Sequence, residues 1–128
     1  MNKGVLLDTS VVVAHFREDA SLATRFKESV LYIPLIVLGE LLYGAYLVSF
    51  QAKALRQTEE FLRICAVLVP NEESAHHYGK INAQLHKAGK PIPQNDVRIA
   101  AVALEYNLPV ATRDRHFEYV EGLSVLNW

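Results

Sequence analysis

Short apolar segments of strand character alternate along this chain with longer segments of helical periodicity. The first of them, residues 5–7, is a continuous apolar run of the kind found in strands that are covered on both faces. Strands separated by helices pair in parallel, and the helices cover the faces of the sheet. The alternation therefore predicts an α/β protein, a three-layer α/β/α sandwich around a short parallel sheet. The predicted strands are residues 5–7, 31–33, 66–69, 109–112 and 124–126.

Helical segments fill the intervals between these strands. Asn71 is a predicted N-cap, and Gly89 is expected to end the helix that it opens because the prolines that follow cannot continue it. A turn and short helix are expected over 113–119. The longer predicted helices are residues 10–17, 22–30, 36–50, 51–64, 72–87 and 95–107.

The length and composition of the chain fit one globular domain. It has 128 residues, of which 51% are hydrophobic and 21% charged, so it can bury a substantial core. We expect residues 1–128 to form a single domain. The formal net charge is −1, whereas a protein that binds nucleic acid without sequence preference usually has a basic excess. If the substrate is a nucleic acid, metal ions or a local basic rim must supply the attraction.

Several features favour a reducing, cytoplasmic setting. Cys65 is the single cysteine, which excludes an internal disulfide, and its apolar surroundings indicate a structural thiol. No secretory leader is expected, because the N-terminus enters a strand without a cleavage site. The apolar run over residues 33–50 is interrupted by a proline, two glycines and Glu40. We therefore interpret it as a buried helix and not as a membrane span.

Two acidic residues directly follow predicted strands. Asp8 ends the first strand, and Asp114 comes just after the fourth. In open parallel sheets, ligands bind at the carboxyl ends of the strands, so both carboxylates are expected at one edge. Taken alone, Asp8 is better explained as a turn residue or as an N-cap of the next helix than as a site residue.

Two further acids lie on predicted helices. Glu40 has only apolar or aromatic neighbours and a glycine three and four positions away, so no salt bridge within its helix compensates its charge. Asp96 opens a helix of small and apolar residues that should pack inside the protein. For Asp96 the structural alternative is strong, because an acid in the first turn complements the helix dipole and Asn95 or Asp96 could be a cap.

Together the four acids form the strongest functional signal in the sequence. Several carboxylates cannot stay ionised at close quarters without a counter-charge. Oxygen ligands with open positions suit Mg²⁺ or Mn²⁺, and one or two such ions can activate water and hold the oxygens of a phosphodiester. The pattern therefore favours a metal site that hydrolyses phosphodiester bonds.

Four short motifs carry a resemblance to a known family. They are residues 6–10 (LLDTS), 39–41 (GEL), 95–101 (NDVRIAA) and 112–114 (TRD). In this order they resemble the successive motifs of the PIN-domain nucleases. Within these, the chain is most similar to the VapC toxins of type II toxin–antitoxin systems, from its first strand to its last.

The resemblance implies roles for particular residues. Asp8, Glu40, Asp96 and Asp114 correspond to the catalytic, metal-binding acids of the family. The fourth of these positions is the least uniform, since acid and asparagine both occur there, and Glu118 is a remote substitute for Asp114. The polar residues expected beside the metal or the scissile phosphate are Ser10, Asn95 and Thr112. Of the basic residues, Arg98 and Arg113 adjoin these acids and are the candidates for binding RNA.

The resemblance also implies an activity and partners. Members of the family cleave RNA with water activated by Mg²⁺ or Mn²⁺. The toxins form homodimers, and a small VapB-like antitoxin wraps around the toxin and blocks its site. Binding to DNA is then expected only indirectly, through the antitoxin, and no membrane association is expected.

Other features are given structural interpretations. The five histidines show no familiar metal-ligand spacing, and His15 and His116 are assigned surface or indirect roles although they lie near the acids in sequence. No Gly-rich phosphate loop occurs. An aromatic and apolar stripe is interpreted as core, with a dimer or antitoxin surface as the alternative. This stripe consists of Tyr43, Tyr46, Leu47 and Phe50.

Two other functions are kept beside the nuclease. The first is a PIN-like protein that acts without cleavage, by gripping RNA or by forming a DNA-bound repressor with its antitoxin. The second is a receiver-like phosphoacceptor, because Asp8 ends a strand. The second lacks the adjacent acid pair and the strand-end lysine that such chemistry normally needs, and the intact acids argue against the first.

Overall fold

A five-stranded parallel sheet forms the centre of the protein, whose computed structural model describes residues 3–128. The strand order is β3-β2-β1-β4-β5, so β1 is central and its residues are buried. Each pair of neighbours is parallel. The strands are β1 Gly4–Leu7, β2 Val30–Pro34, β3 Cys65–Leu68, β4 Val110–Thr112 and β5 Val125–Asn127.

Six α-helices connect these strands and cover the sheet. The chain winds outward from β1 to β3 and then crosses to β4 on the other side of β1. Because parallel crossovers are right-handed, this reversal places the crossover into β4 on the face opposite the earlier ones. The predicted three-layer α/β sandwich is confirmed. The helices are α1 Thr9–Phe16, α2 Leu22–Glu28, α3 Leu35–Leu47, α4 Gln51–Leu62, α5 Glu72–Ala88 and α6 Gln94–Tyr106, and a 3₁₀ helix spans Arg115–Tyr119.

Helix α6 is the helix most deeply enclosed by the rest of the protein. Its residues 99–103 are all buried, and most of them are small, which lets neighbouring elements approach closely. The N-cap of α6 is Pro93, so the structural alternative in which Asn95 or Asp96 caps this helix is wrong. Asp96 instead lies within the first turn, where its carboxylate is carried to the carboxyl edge of the sheet.

Helix α3 departs from the prediction in two ways. It ends at Leu47, three residues before the predicted end, and only one of its faces is buried, through Val37, Leu41 and Ala45. The aromatic and apolar stripe is exposed, with 69% of Tyr43 and 79% of Phe50 accessible to solvent. The interpretation of this stripe as core is therefore wrong, because no other part of the described chain buries its side chains.

Both predicted caps of α5 are confirmed. Asn71 caps α5 in a capping box with Ser74, and Gly89 ends that helix in the left-handed conformation that glycine adopts without strain. Burial raises the pKa of the Cys65 thiol to about 11, consistent with a structural and unreactive thiol. Within residues 3–128, no helix is both long enough and apolar enough to cross a membrane.

Candidate active site

The winding of the sheet reverses between β1 and β4, and the carboxyl ends of these two strands meet there. Leu7 pairs with Ala111, so Asp8 lies level with Thr112 at the end of the adjacent strand. The backbone N–H of Asp8 donates to the carbonyl of Ala111 at 3.0 Å. In open α/β sheets this reversal leaves a crevice in which ligands bind.

Asp8 is buried and its carboxylate is held by three donors. One oxygen accepts the backbone N–H of Thr9 at 2.8 Å, so Asp8 is the N-cap of α1. The other oxygen accepts the hydroxyls of Ser10 and Thr112, each at 2.8 Å. The structural explanation of Asp8 as a cap is therefore correct, and it leaves the second oxygen fixed in orientation at the sheet edge.

The hydroxyls of Thr112 and Ser10 join the ends of the two strands. Thr112 is fully buried, and its hydroxyl accepts the backbone N–H of Asp114 at 2.9 Å while donating to Asp8. The Ser10 hydroxyl accepts the backbone N–H of Arg113 at 3.1 Å. These bonds fix the loop after β4, and hence Asp114, relative to Asp8.

Glu40 reaches the same edge from α3. Its carboxylate accepts the hydroxyl of Thr9 at 3.0 Å, and Thr9 directly follows Asp8. The side chain is half-buried in an otherwise apolar helix. The contact with Thr9 shows that Glu40 faces the start of α1 and not open solvent.

Asp96 lies among the other acids. Burial and then the negative charges of Asp8 and Asp114 raise its pKa, the hydrogen bond from His116 lowers it, and together they leave the pKa at about 6. The raised pKa therefore reflects a carboxylate that is withdrawn from water and lies close to two other acids. Perturbation of this kind is typical of functional sites.

Asp114 and His116 complete the cluster. The Asp114 carboxylate caps the 3₁₀ helix by accepting the His116 backbone N–H at 2.9 Å. The His116 ring Nδ1 then lies 3.0 Å from Asp114 Oδ1 and 3.3 Å from Asp96 Oδ2. The assignment of His116 to a surface or indirect role missed this contact. The signal that could have found it is the position of His116 two residues after a strand-end acid that caps the following turn.

Other predicted residues do not join the acids. The Arg113 guanidinium bonds Asp19 at 2.6 Å and the carbonyl of Trp128 at 3.1 Å, which directs it away from the cluster. Arg98 bonds Asn95 at 3.1 Å and lies over the Tyr78 ring. Glu118 is exposed.

A groove of about 700 Å³ lies beside the site, between α3, α5 and α6. Its walls are mainly apolar, and they include Arg98, Asn95 and Glu40.

His15 does not contribute to the site. It packs against Phe26 with ring centroids 4.7 Å apart, and burial lowers its pKa. His15 therefore belongs to an aromatic cluster and not to the acidic edge.

The residues at this edge fit a divalent cation. Asp96, Asp114 and His116 each offer a ligand atom, and these atoms lie within 4.8 Å of one another. Asp8 adds a further charge that acts on Asp96. A bound cation would compensate the charge that now raises the Asp96 pKa, which is the usual effect of an ion among crowded carboxylates.

Comparisons with known proteins show the family to which this fold belongs. A model of the PIN domain matches residues 5–123. Ribonuclease VapC of Haemophilus influenzae is 32% identical over 127 residues, covering 96% of each chain. The tRNA(fMet)-specific endonuclease VapC of Shigella flexneri is also 32% identical over 127 residues, with 96% of each chain covered.

A solved structure shows the same fold. In the crystal structure of DNA-bound VapBC from Salmonella typhimurium, one chain matches with a TM-score of 0.92 and 30% identity, covering 100% of this chain and 99% of that one. This chain therefore belongs to the PIN-domain family and, within it, to the VapC group.

Proposed function

We propose that the protein is a metal-dependent endoribonuclease that acts as the toxin of a type II toxin–antitoxin pair. The observation that carries this proposal is the convergence of Asp8, Asp96 and Asp114, with Glu40 alongside, at the edge of a PIN-domain sheet. Relatives at about the same length are named ribonuclease or endonuclease, which supports RNA as the substrate. Residues 1–128 act in this proposal as one PIN-like domain.

Each acid has a role in the proposed reaction. Asp8, Glu40, Asp96 and Asp114 would hold Mg²⁺ or Mn²⁺, which when bound lowers the pKa of water and polarises the scissile phosphate. Ser10 and Thr112 orient the Asp8 carboxylate through their hydroxyls. Because these bonds already exist, the acids need little rearrangement to act.

Substrate binding is proposed at the groove beside Glu40. Asn95 and Arg98 lie there, and the exposed Arg98 guanidinium can pair with an RNA phosphate. The Arg113 backbone is held by Ser10 and its side chain by Asp19, so we assign Arg113 to positioning the loop of Asp114 instead. With a formal net charge of −1, the protein depends on the cation and on such local arginines to attract RNA.

Protein partners are proposed at the exposed stripe, which covers the end of α3 and the residues just after it. Contiguous exposed apolar side chains usually mark an interaction surface. We infer that the protein forms a homodimer and binds a VapB-like antitoxin, in the cytoplasm, with DNA contacted only through that antitoxin. The solved relatives that share the fold include VapBC complexes, some of them bound to DNA.

The first test uses purified protein without antitoxin on total cellular RNA, in Mg²⁺, in Mn²⁺ and in EDTA. Discrete cleavage that requires the metal is expected. Asp8→Asn should abolish it, because asparagine keeps the cap but removes the charge. Glu60→Gln, an exposed change on α4, is the matched control and should cleave like the wild type.

Two results would contradict the proposal. Cleavage that persists in EDTA and in Asp8→Asn would place the activity elsewhere. The second is a folded wild type that binds Mg²⁺ or Mn²⁺ but cleaves no RNA. If the wild type and Asp8→Asn then arrested growth equally, the protein would act by binding alone.

A further inference from the structure

His116 faces the acids of the candidate site, and the proposed reaction does not use it. Its Nδ1 lies 3.0 Å from Asp114 Oδ1 and 3.3 Å from Asp96 Oδ2. All three side chains contribute an atom to one group within 4.8 Å. The imidazole is thus part of the same cluster as the carboxylates.

These separations match those of neighbouring ligands on one ion. Metal–ligand bonds of about 2.1 Å at right angles place the two ligand atoms about 3 Å apart. Nδ1 meets this condition with an oxygen of Asp114 and, somewhat more loosely, with an oxygen of Asp96. A cation that these two acids share would therefore lie within reach of the imidazole nitrogen.

The local backbone fixes the ring in this position. Asp114 accepts the His116 N–H, and its own N–H is bonded to the buried hydroxyl of Thr112. The next residue, Phe117, is fully buried and anchors the 3₁₀ helix in the core. The His116 side chain itself stays 44% exposed, so an incoming ion has access to it.

We propose that His116 supplies a nitrogen ligand to the divalent metal of this site, which biases the site toward Mn²⁺ and other first-row transition ions over Mg²⁺. Mg²⁺ demands oxygen ligands and keeps several waters, whereas imidazole is a regular ligand of transition ions. The inference deepens the proposed nuclease and rests on its metal dependence. It adds a residue outside the four acids of the motif pattern.

The test is pulsed electron paramagnetic resonance of bound Mn²⁺, with affinities measured by calorimetry. The full chain is used without antitoxin and without a polyhistidine tag, since a tag would add nitrogen ligands. We expect ¹⁴N modulation in the wild type and none in His116→Gln. The Mn²⁺ dissociation constant should rise about tenfold or more in that variant. The Mg²⁺ constant should change less, because the glutamine amide oxygen can still bind Mg²⁺.

His86→Gln is the matched control. His86 is exposed near the end of α5 and is outside the acidic cluster, so this variant should keep both the nitrogen signal and the affinity. Wild-type Mn²⁺ without ¹⁴N modulation would overturn the proposal and leave His116 as a hydrogen-bond partner of the acids. A nitrogen signal that survives in His116→Gln would overturn it as well.

A failure of the nuclease proposal gives a different result. Asp96→Asn should weaken Mn²⁺ binding whether or not His116 is a ligand. If the wild type bound no Mn²⁺, or Asp96→Asn bound it like the wild type, the metal-dependent function itself would be wrong. Mn²⁺ binding that depends on the acids but shows no nitrogen signal would exclude only the role of His116 as a ligand.

Discussion

The carboxyl edge of the sheet and the exposed stripe of α3 depart from ordinary solvation in opposite senses. At the edge, charged groups are withdrawn from water: Asp8 is 6% exposed. Along the stripe, apolar groups are left in water: Leu47 is 67% exposed. The first arrangement is unfavourable because a charged group loses its solvation, and the second is unfavourable because apolar surface stays exposed to water.

The two regions differ in how this cost is met. Asp8 receives three hydrogen bonds from its own chain, and no buried side-chain polar atom of the described residues lacks a partner. The stripe has no covering element within residues 3–128. The edge is therefore preformed for the proposed chemistry, whereas the stripe is open to the proposed partners. Changes at the edge should alter activity, and changes at the stripe should alter assembly.

The largest effect is expected from Asp96→Asn. Removing this carboxylate should lower metal-dependent RNA cleavage about a hundredfold or more, because the site loses a ligand and its charge. Asp114→Asn should cost less, since asparagine keeps the cap of the 3₁₀ helix and an oxygen ligand. Initial rates on a defined RNA, over a range of Mn²⁺ concentrations, measure both.

The comparison predicts that these variants stay folded and keep their assembly state. A loss of activity that paralleled a loss of thermal stability would show that Asp96 acts through the fold. Equal rates for Asp96→Asn and the wild type would remove Asp96 from the site.

The next effect concerns the stripe. Leu47→Glu combined with Phe50→Glu should convert the proposed dimer to monomers and weaken antitoxin binding. Burying one such side chain contributes about 2 kcal/mol, so the dissociation constant should rise about 30-fold or more. Analytical ultracentrifugation and titration with the antitoxin distinguish the two partners.

Ile64→Glu is the control for this variant, because Ile64 is 53% exposed outside the stripe. It should leave assembly unchanged. If the wild type were monomeric and bound antitoxin equally well with both glutamates present, the stripe would be an exposed surface without a partner.

A smaller effect tests how the edge is preformed. Thr112→Val keeps the shape of the side chain but removes a donor to Asp8 and an acceptor for the Asp114 N–H. We expect a loss of about 1–3 kcal/mol in the free energy of unfolding, measured by urea denaturation. Thr58→Val is the matched buried control, because Thr58 bonds only a carbonyl of its own helix. A smaller loss in Thr112→Val than in Thr58→Val would contradict the bridging role of Thr112.

The sequence predicted the fold and the meeting of the acids for a clear physical reason. Strand and helix periodicities are local, and parallel strands bring their carboxyl ends to one edge without any long-range information. Asp8 and Asp114 therefore follow from topology. The position of Asp96 follows from the apolar helix that it opens, because that helix packs inside the protein and brings its first turn to this edge. Asp96 does not cap the helix, whose N-cap is Pro93.

What the sequence did not predict depends on side-chain direction. His116 reaches Asp96 only because the turn after β4 is capped by Asp114, and Arg113 turns outward because Asp19 lies on a distant loop. The stripe at α3 has the apolar pattern of a core helix. Whether such a pattern is covered by its own chain or by another is not a local property, so the core interpretation was the natural error.

The smallest effect concerns pH in the metal-free protein. The Asp96 pKa is raised from 3.8 to about 6, so the folded state holds this proton more tightly than the unfolded state does. Stability from this group is full below about pH 4 and is lost as the pH rises through 6. After a discount for solvent screening of a partly exposed group, the loss is about 1–2 kcal/mol. Denaturation between pH 4 and 7 in EDTA measures it.

Asp96→Asn should remove this dependence of stability on pH, and Mn²⁺ should restore the stability of the wild-type protein at pH 7. Asp19→Asn is the control, because the Ser21 hydroxyl and Arg113 lower the Asp19 pKa to about 2, below the tested range. An unchanged slope in Asp96→Asn would mean that another group titrates in this range and that burial and the neighbouring acids do not raise the Asp96 pKa. Asp96 would then be an ordinary acid in the first turn of α6, and the nuclease proposal would rest on the relatives and on the direct cleavage test.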